Sequence, residues 1–366
     1  MKLNLLKSHI NHTTIRKLNF KTMKLTHKLT AALLFLSAAA SAQTIDASVD
    51  PQIDPQIRIF LKGLNAAGKG QTPLFKLPGT GPGDALTGLQ NMTPVDMSGV
   101  DIVDKTIIED GLSIPVHIIS PQGASGVLPV IIFYHGGVWL AGNFDNHKRF
   151  VRDLVIGVNA IAVFPDYTLI HQAKYPTQIN QAYATLKWVS EHAAEFNGDP
   201  ARIAIAGNSV GGNMTAAVAL MAKDKKGPTL RMEVLFYPAV GANFETASYK
   251  AFANDRFLSR EFMEYGWNLY APDLKTRKER YAVPLEATVE QLKGLPPTLI
   301  QTAENDPLRD EGEAYGRKLR EAGVSCTTTR YVGMIHDFQL LNAINKVPGV
   351  QAALQQAYTE LKTALK

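Results

Sequence analysis

Residues 202–212 read R-I-A-I-A-G-N-S-V-G-G, and the rest of the chain is organised around them. Ile203 and Ile205 alternate with alanines in a short apolar run suited to a strand buried on both faces. The run passes directly into Gly207-Asn208-Ser209-Val210-Gly211, a G-x-S-x-G pentapeptide, and then into Met214-Thr215-Ala216-Ala217-Val218-Ala219-Leu220, a small-residue run that reads as helix. Strand, tight turn and helix are the context a nucleophile elbow needs. The glycines let the backbone turn sharply without a Cβ clash, so the Ser209 hydroxyl stands at a helix N-terminus, where negative charge is favoured.

A serine at its ordinary pKa is a weak nucleophile, so it needs a base, and the base needs an orienting acid. At an elbow of this kind both follow the serine in the chain, each after a strand. His336 is the only histidine beyond Ser209, in Gly333-Met334-Ile335-His336-Asp337-Phe338 at a strand end. His117 falls inside an expected strand and His192 on an expected helix, while His147 and His171 fall in polar loops. The acid is Asp306, which follows the apolar run of Leu299-Ile300-Gln301-Thr302. Asp310 and Glu311 are rivals, but they open the next helix, where acidic side chains are favoured without any catalytic role.

Upstream, the apolar run 130–134 leads into His135-Gly136-Gly137-Val138-Trp139. Glycines there let backbone N–H groups approach a substrate oxygen, and Val210, just after the serine, adds another donor. His135 precedes the serine and reads as a brace for this loop. No His/Cys cluster has zinc-like spacing, and the chemistry requires no metal or cofactor.

Around these motifs the pattern gives strands at 102–108, 112–119, 130–134, 160–164, 203–207, 232–237, 298–302 and 325–332. The first two form a hairpin turning at Glu109-Asp110-Gly111. Helices are expected at 175–196, 310–322 and 349–365, giving an eight-stranded, mostly parallel, doubly wound α/β sheet. Residues 241–284 break the alternation with Phe252, Phe257, Phe262, Met263, Tyr265, Trp267 and Tyr270, helical in spacing around 261–269. This insertion reads as a helical cap lining a pocket, with Trp139, Phe257, Phe262 and Trp267 as pocket residues. Residues 43–100 read as one short helix and a loose arm, and 101–366 as the catalytic domain.

The first 42 residues carry seven basic and no acidic side chains. From Met23, an alternative start, they read as a basic segment, an apolar run too short to span a bilayer, and Ala40-Ser41-Ala42 before Gln43. That is a cleavable export signal, implying a periplasmic or extracellular protein with no stable membrane anchor. Its removal leaves 31 basic against 33 acidic residues, a net charge of −2, so the basic balance of the full chain gives no reason to expect nucleic acid as a partner. Cys326 is the single cysteine, so no internal disulfide can form.

Together the H-G-G-V-W, G-N-S-V-G-G and D-P-L-R-D-E-G stretches and the late His336 resemble the hormone-sensitive-lipase-like branch of the α/β-hydrolases, the bacterial carboxylesterases and acetyl-esterases. The resemblance implies an α/β-hydrolase fold with Ser209, Asp306 and His336 as triad and the N–H groups of Gly136, Gly137, Val138 and Val210 around an oxyanion. It implies hydrolysis of short- to medium-chain carboxylic esters, a small-molecule substrate, and a cap built from the N-terminal arm and the aromatic insertion. An amide or N-formyl hydrolase is the alternative activity, and a non-catalytic binding protein a third, disfavoured because all three triad residues stand. Three departures bear on substrate: Val138 replaces the family's third glycine, Asn208 replaces an aspartate, and Asp166-Tyr167-Thr168-Leu169 stands where the family continues D-Y-R-L-A-P-E.

Overall fold

A computed structural model describes residues 45–366; the export-signal reading lies outside the described residues. The chain opens with α1 (Pro55–Gly68) and α2 (Gly81–Asn91), then β1 (Val100–Glu109), β2 (Leu112–Pro121) and β3 (Leu128–Tyr134). Next come α3 (Phe144–Val158), β4 (Ile161–Pro165), α4 (Thr177–His192), β5 (Gly198–Asn208) and α5 (Val210–Asp224). After β6 (Met232–Phe236) and α6 (Arg260–Tyr270) the alternation resumes with β7 (Thr298–Asn305), α7 (Arg309–Glu321), β8 (Cys326–Ile335) and α8 (Pro348–Ala364). The eight strands form one sheet in the order β1-β2-β4-β3-β5-β6-β7-β8, antiparallel at β1/β2 and β2/β4 and parallel from β4 onward. The hairpin turns at Asp110 and Gly111, both at positive φ, as a two-residue turn matched to strand twist requires.

β5 lies inside the sheet, between β3 and β6, because both of its faces are apolar. Ile203 and Ile205 pack into the core on one side, and Ala204 and Ala206 into the core on the other. All four are fully buried, and each isoleucine contributes about 1.5–3 kcal/mol by leaving water. Helix α5 is buried from Val210 through Ala222, so the turn between strand and helix is held from both ends.

Four local expectations are corrected. The segment read as one helix over 175–196 begins only at Thr177, since a residue before proline is pushed out of helical geometry, and ends in a separate 3₁₀ turn, Ala193–Phe196. Helix α3 is an addition, and it carries His147, buried, where a polar loop was expected. The arm contains a second helix, α2. Nor is it loose: Asp54 N–H donates to Gly333 O, and Asn305 Nδ2 donates to Gln52 O, at the ends of β8 and β7.

The arm and the 241–284 insertion are also joined to each other. Asp50 pairs with Arg256 at 2.6 Å with both side chains buried, and Phe75 stacks on Phe262 at 5.4 Å. Removing one partner of a buried pair strands the other charge at about 3–5 kcal/mol, so this pair acts as a clasp between the two segments. Among the described residues no helix is long and apolar enough to cross a membrane.

Candidate active site

Ser209 sits at φ 55°, ψ −122°, a strained backbone for a residue with a side chain. The strain falls on the serine, while the flanking glycines serve close packing. A Cβ on Gly207 would lie 2.3 Å from Gly211 O, and one on Gly211 would lie 2.0 Å from Tyr134 O. Ser209 N–H donates to Phe236 O, and Ser209 O accepts from Asn213 and Ala239, so the turn is fixed by its own backbone.

The three expected triad residues meet at the C-terminal ends of β5, β7 and β8. His336 Nε2 is 3.0 Å from Ser209 Oγ, and His336 Nδ1 is 2.7 Å from Asp306 Oδ2. A carboxylate can only accept, so the imidazole proton sits on Nδ1 and Nε2 is left as the acceptor facing the hydroxyl. Asp306 Oδ1 accepts Leu308 N–H at 2.9 Å, which orients the carboxylate. All three residues are at most 1% exposed. Burial pulls the His336 pKa down, but Asp306 and then Asp337 outweigh it, and the net direction is upward.

Asp310, the rival acid, is engaged elsewhere: Oδ2 accepts Ser248 N–H and Oδ1 pairs with Arg309. Glu311 Oε1 accepts Gly241 N–H. His117 bridges Asp104 and Asp166, and burial keeps His135 and His147 below the ordinary histidine pKa. His135 Nδ1 donates to Gly136 O at 2.8 Å, and its ring stacks on Tyr167 at 4.0 Å, consistent with a brace. Tyr167 also donates to His135 O, and Gln178 and Gln181 hold Thr168, so this segment is fixed without the family's arginine.

Of the four expected oxyanion donors, Gly136 is withdrawn, because its N–H already donates to Asn208 Oδ1 at 2.9 Å. The N–H groups of Gly137, Val138 and Val210 have no acceptor among the described residues. Gly137, Val138 and Trp139 all lie at positive φ (106°, 56° and 55°), and Val138 is a β-branched residue where the left-handed region favours glycine. Gly266 on α6 explains how it is held, since a Cβ there would come within 2.0 Å of Val138 Cγ1. Val138 is therefore a knob packed against the α6 backbone.

The expected pocket residues divide. Trp139 and Trp267 meet edge to face at 4.9 Å, and Tyr270 stacks on Trp139 at 3.8 Å. Phe262 lies next to Phe75, and Phe257 packs with the other core, the one that holds Ile57 and Tyr237. Cavities of about 360 Å³ (beside Glu311 and Arg277) and 380 Å³ (beside His135 and Asp166) are not lined by Ser209, Asp306 or His336. A hydrogen-bonded Ser–His–Asp chain locates chemistry better than open volume does. Two residues beside the site escape the sequence reading: Asp337, whose sole cue is adjacency to His336, and Gly266, which has none.

A family profile described as an alpha/beta hydrolase fold matches residues 131–340, more than half of the chain. Carboxylesterase NlhH of Mycobacterium tuberculosis is 38% identical over 267 residues, which is 72% of this chain and 83% of that protein. A putative alpha/beta hydrolase of Acanthamoeba polyphaga mimivirus is 37% identical over 270 residues, 74% of this chain and 76% of its own length. A solved structure of an esterase from Pseudomonas putida ECU1011 superposes with a TM-score of 0.85 at 50% identity, covering 87% of this chain and 99% of that one. The chain belongs to the α/β-hydrolases, in the hormone-sensitive-lipase-like branch of carboxylesterases. Hydrolysis of carboxylic esters is the activity this kinship carries.

Proposed function

We propose that the protein is an exported serine carboxylesterase that cleaves short- to medium-chain esters through an acyl-enzyme. The observation that carries this reading is the buried relay of Ser209 Oγ, His336 and Asp306 at 3.0 and 2.7 Å. Ser209 Oγ attacks the ester carbonyl while His336 Nε2 takes its proton, and Asp306 balances the imidazolium. The N–H groups of Gly137, Val138 and Val210 receive the oxyanion. His336 then returns the proton to the departing alcohol, and water attacks the acyl-serine by the same route in reverse.

Chain-length preference follows from crowding beside the oxyanion loop. Val138 is wedged between that loop and Gly266, with Trp139 and Trp267 adjoining. Each methylene that fits gains about 0.8 kcal/mol, whereas overpacking costs about 1–3 kcal/mol. The expected optimum of kcat/KM on p-nitrophenyl esters runs from acetyl to about hexanoyl. Val138→Gly relieves the backbone strain, keeps the N–H and opens space, so its optimum shifts to longer chains. A wild type that works best on lauroyl or palmitoyl esters contradicts the short-chain reading.

Export rests on the residues before Gln43. Mass spectrometry of the protein from the periplasm or medium should find Gln43, free or cyclised to pyroglutamate, as the first residue. An intact N-terminus retained in the cytoplasm refutes this part of the proposal.

A further inference from the structure

His336 faces a second carboxylate besides Asp306. Asp337 Oδ2 lies 3.8 Å from His336 Nε2, the nitrogen turned toward Ser209. The other oxygen, Oδ1, accepts Asn208 Nδ2–H at 2.9 Å, and Asn208 Oδ1 in turn accepts Gly136 N–H at 2.9 Å. The amide orientation is dictated by its partners, since the carboxylate needs a donor and the backbone N–H needs an acceptor. Asn208, His336 and Asp337 are all buried. Asp337 sits at φ 60°, and its carbonyl accepts from Leu340 and Leu341, so its direction is set by a fixed turn.

Burial pushes the Asp337 carboxyl above its ordinary value, the His336 imidazolium and the Asn208 amide hold it down, and among the described residues no other cation faces it. Tyr237 lies edge-on to His336 at 5.0 Å and raises no charge of its own, its hydroxyl pKa being held well above the ordinary value by burial. Asp306 faces the same imidazole from the other nitrogen, and His147, near Asn208, is kept neutral by burial. Arg149, the nearest guanidinium along α3, is bound to Asp153, Asn342 and the carbonyls of Gln339 and Leu340.

We propose that Asp337 is a positioning residue for the esterase reaction: its carboxylate stabilises the charged form of His336, and through Asn208 it ties the histidine turn to the oxyanion loop. This rests on the serine-esterase reading above. It also accounts for asparagine in place of the family's aspartate before the nucleophile. An aspartate at 208 would set two carboxylates about 3 Å apart, where both cannot remain ionised. The amide and the acid are a matched pair.

Asp337→Asn separates the two roles, because Asn208 can still donate to the new amide oxygen while the charge is gone. The acid limb of kcat/KM, which reports the free-enzyme histidine, is expected to move down by about one pH unit. Plateau kcat is expected to fall about tenfold with KM little changed, as the imidazolium formed in the transition state loses a neighbour. Asn208→Asp alone should lose more, and the exchange N208D/D337N should recover to within about threefold of D337N, since donor and acceptor are restored in reverse.

An unmoved acid limb and unchanged kcat in D337N overturn the proposal, and that variant decides the matter even if N208D fails to fold. An exchange no better than N208D overturns the coupling between the two residues. Labelling of wild type and D337N with a p-nitrophenyl phosphonate keeps the two levels apart. No label on Ser209 in the wild type is a failure of the esterase reading, whereas normal labelling with an unmoved limb is a failure of the Asp337 proposal alone.

Discussion

Ser209→Ala is expected to lower kcat on a good ester by about 10⁴–10⁶, equivalent to roughly 5–8 kcal/mol of barrier, with no loss of fold. The fold should survive because alanine keeps the backbone at this strained position, including the bonds from Ser209 N–H to Phe236 O and from Asn213 and Ala239 to Ser209 O. Only the hydroxyl that faces His336 Nε2 is removed. Residual rate over water should persist, since the free N–H groups of Gly137, Val138 and Val210 still bind an oxyanion. Steady-state rates at matched circular dichroism check this. A variant that keeps more than about a tenth of the activity assigns the nucleophile elsewhere.

The second large effect is expected at Asp306. An asparagine there can present an N–H to His336 Nδ1, forcing the ring proton onto Nε2, the nitrogen that must accept from Ser209. The cost should be about 10³–10⁴ in kcat, with binding largely intact. Asp310→Asn is the internal control, because its side chain can still accept Ser248 N–H and loses only a partly exposed pairing with Arg309, worth at most about 1 kcal/mol. Parallel kinetics on the two variants should rank Asp306 far above Asp310. The reverse ranking moves the acid to Asp310.

The parts of this site that follow from local pattern are legible in the sequence. Strand, elbow and helix are contiguous over 203–220, and chain order alone left His336 as the base. What was not legible depended on distant partners. Helix α3 was hidden because it buries polar residues: Arg149 reaches Asn342 and the carbonyls of Gln339 and Leu340, and Asn146 reaches Thr87, so its inward face does not read as apolar. Gly136 looked like a free donor until Asn208 was found on its N–H. Phe257 shared an aromatic-rich stretch with Trp267 but packs into the other core, which composition cannot distinguish. Asp337 carries no motif of its own, and its place depends on an asparagine 129 residues earlier in the chain.

The proposed mechanism makes Ser209 Oγ the atom to which the acyl group is transferred. The most direct measurement is intact-protein and peptide mass spectrometry after reaction with a p-nitrophenyl phosphonate, run on the wild type and on Ser209→Ala. One phosphonyl group per chain, on the peptide carrying Ser209 and absent from the alanine variant, is the result predicted. Esterase turnover by a protein that takes no label, or takes it on another residue, contradicts the account.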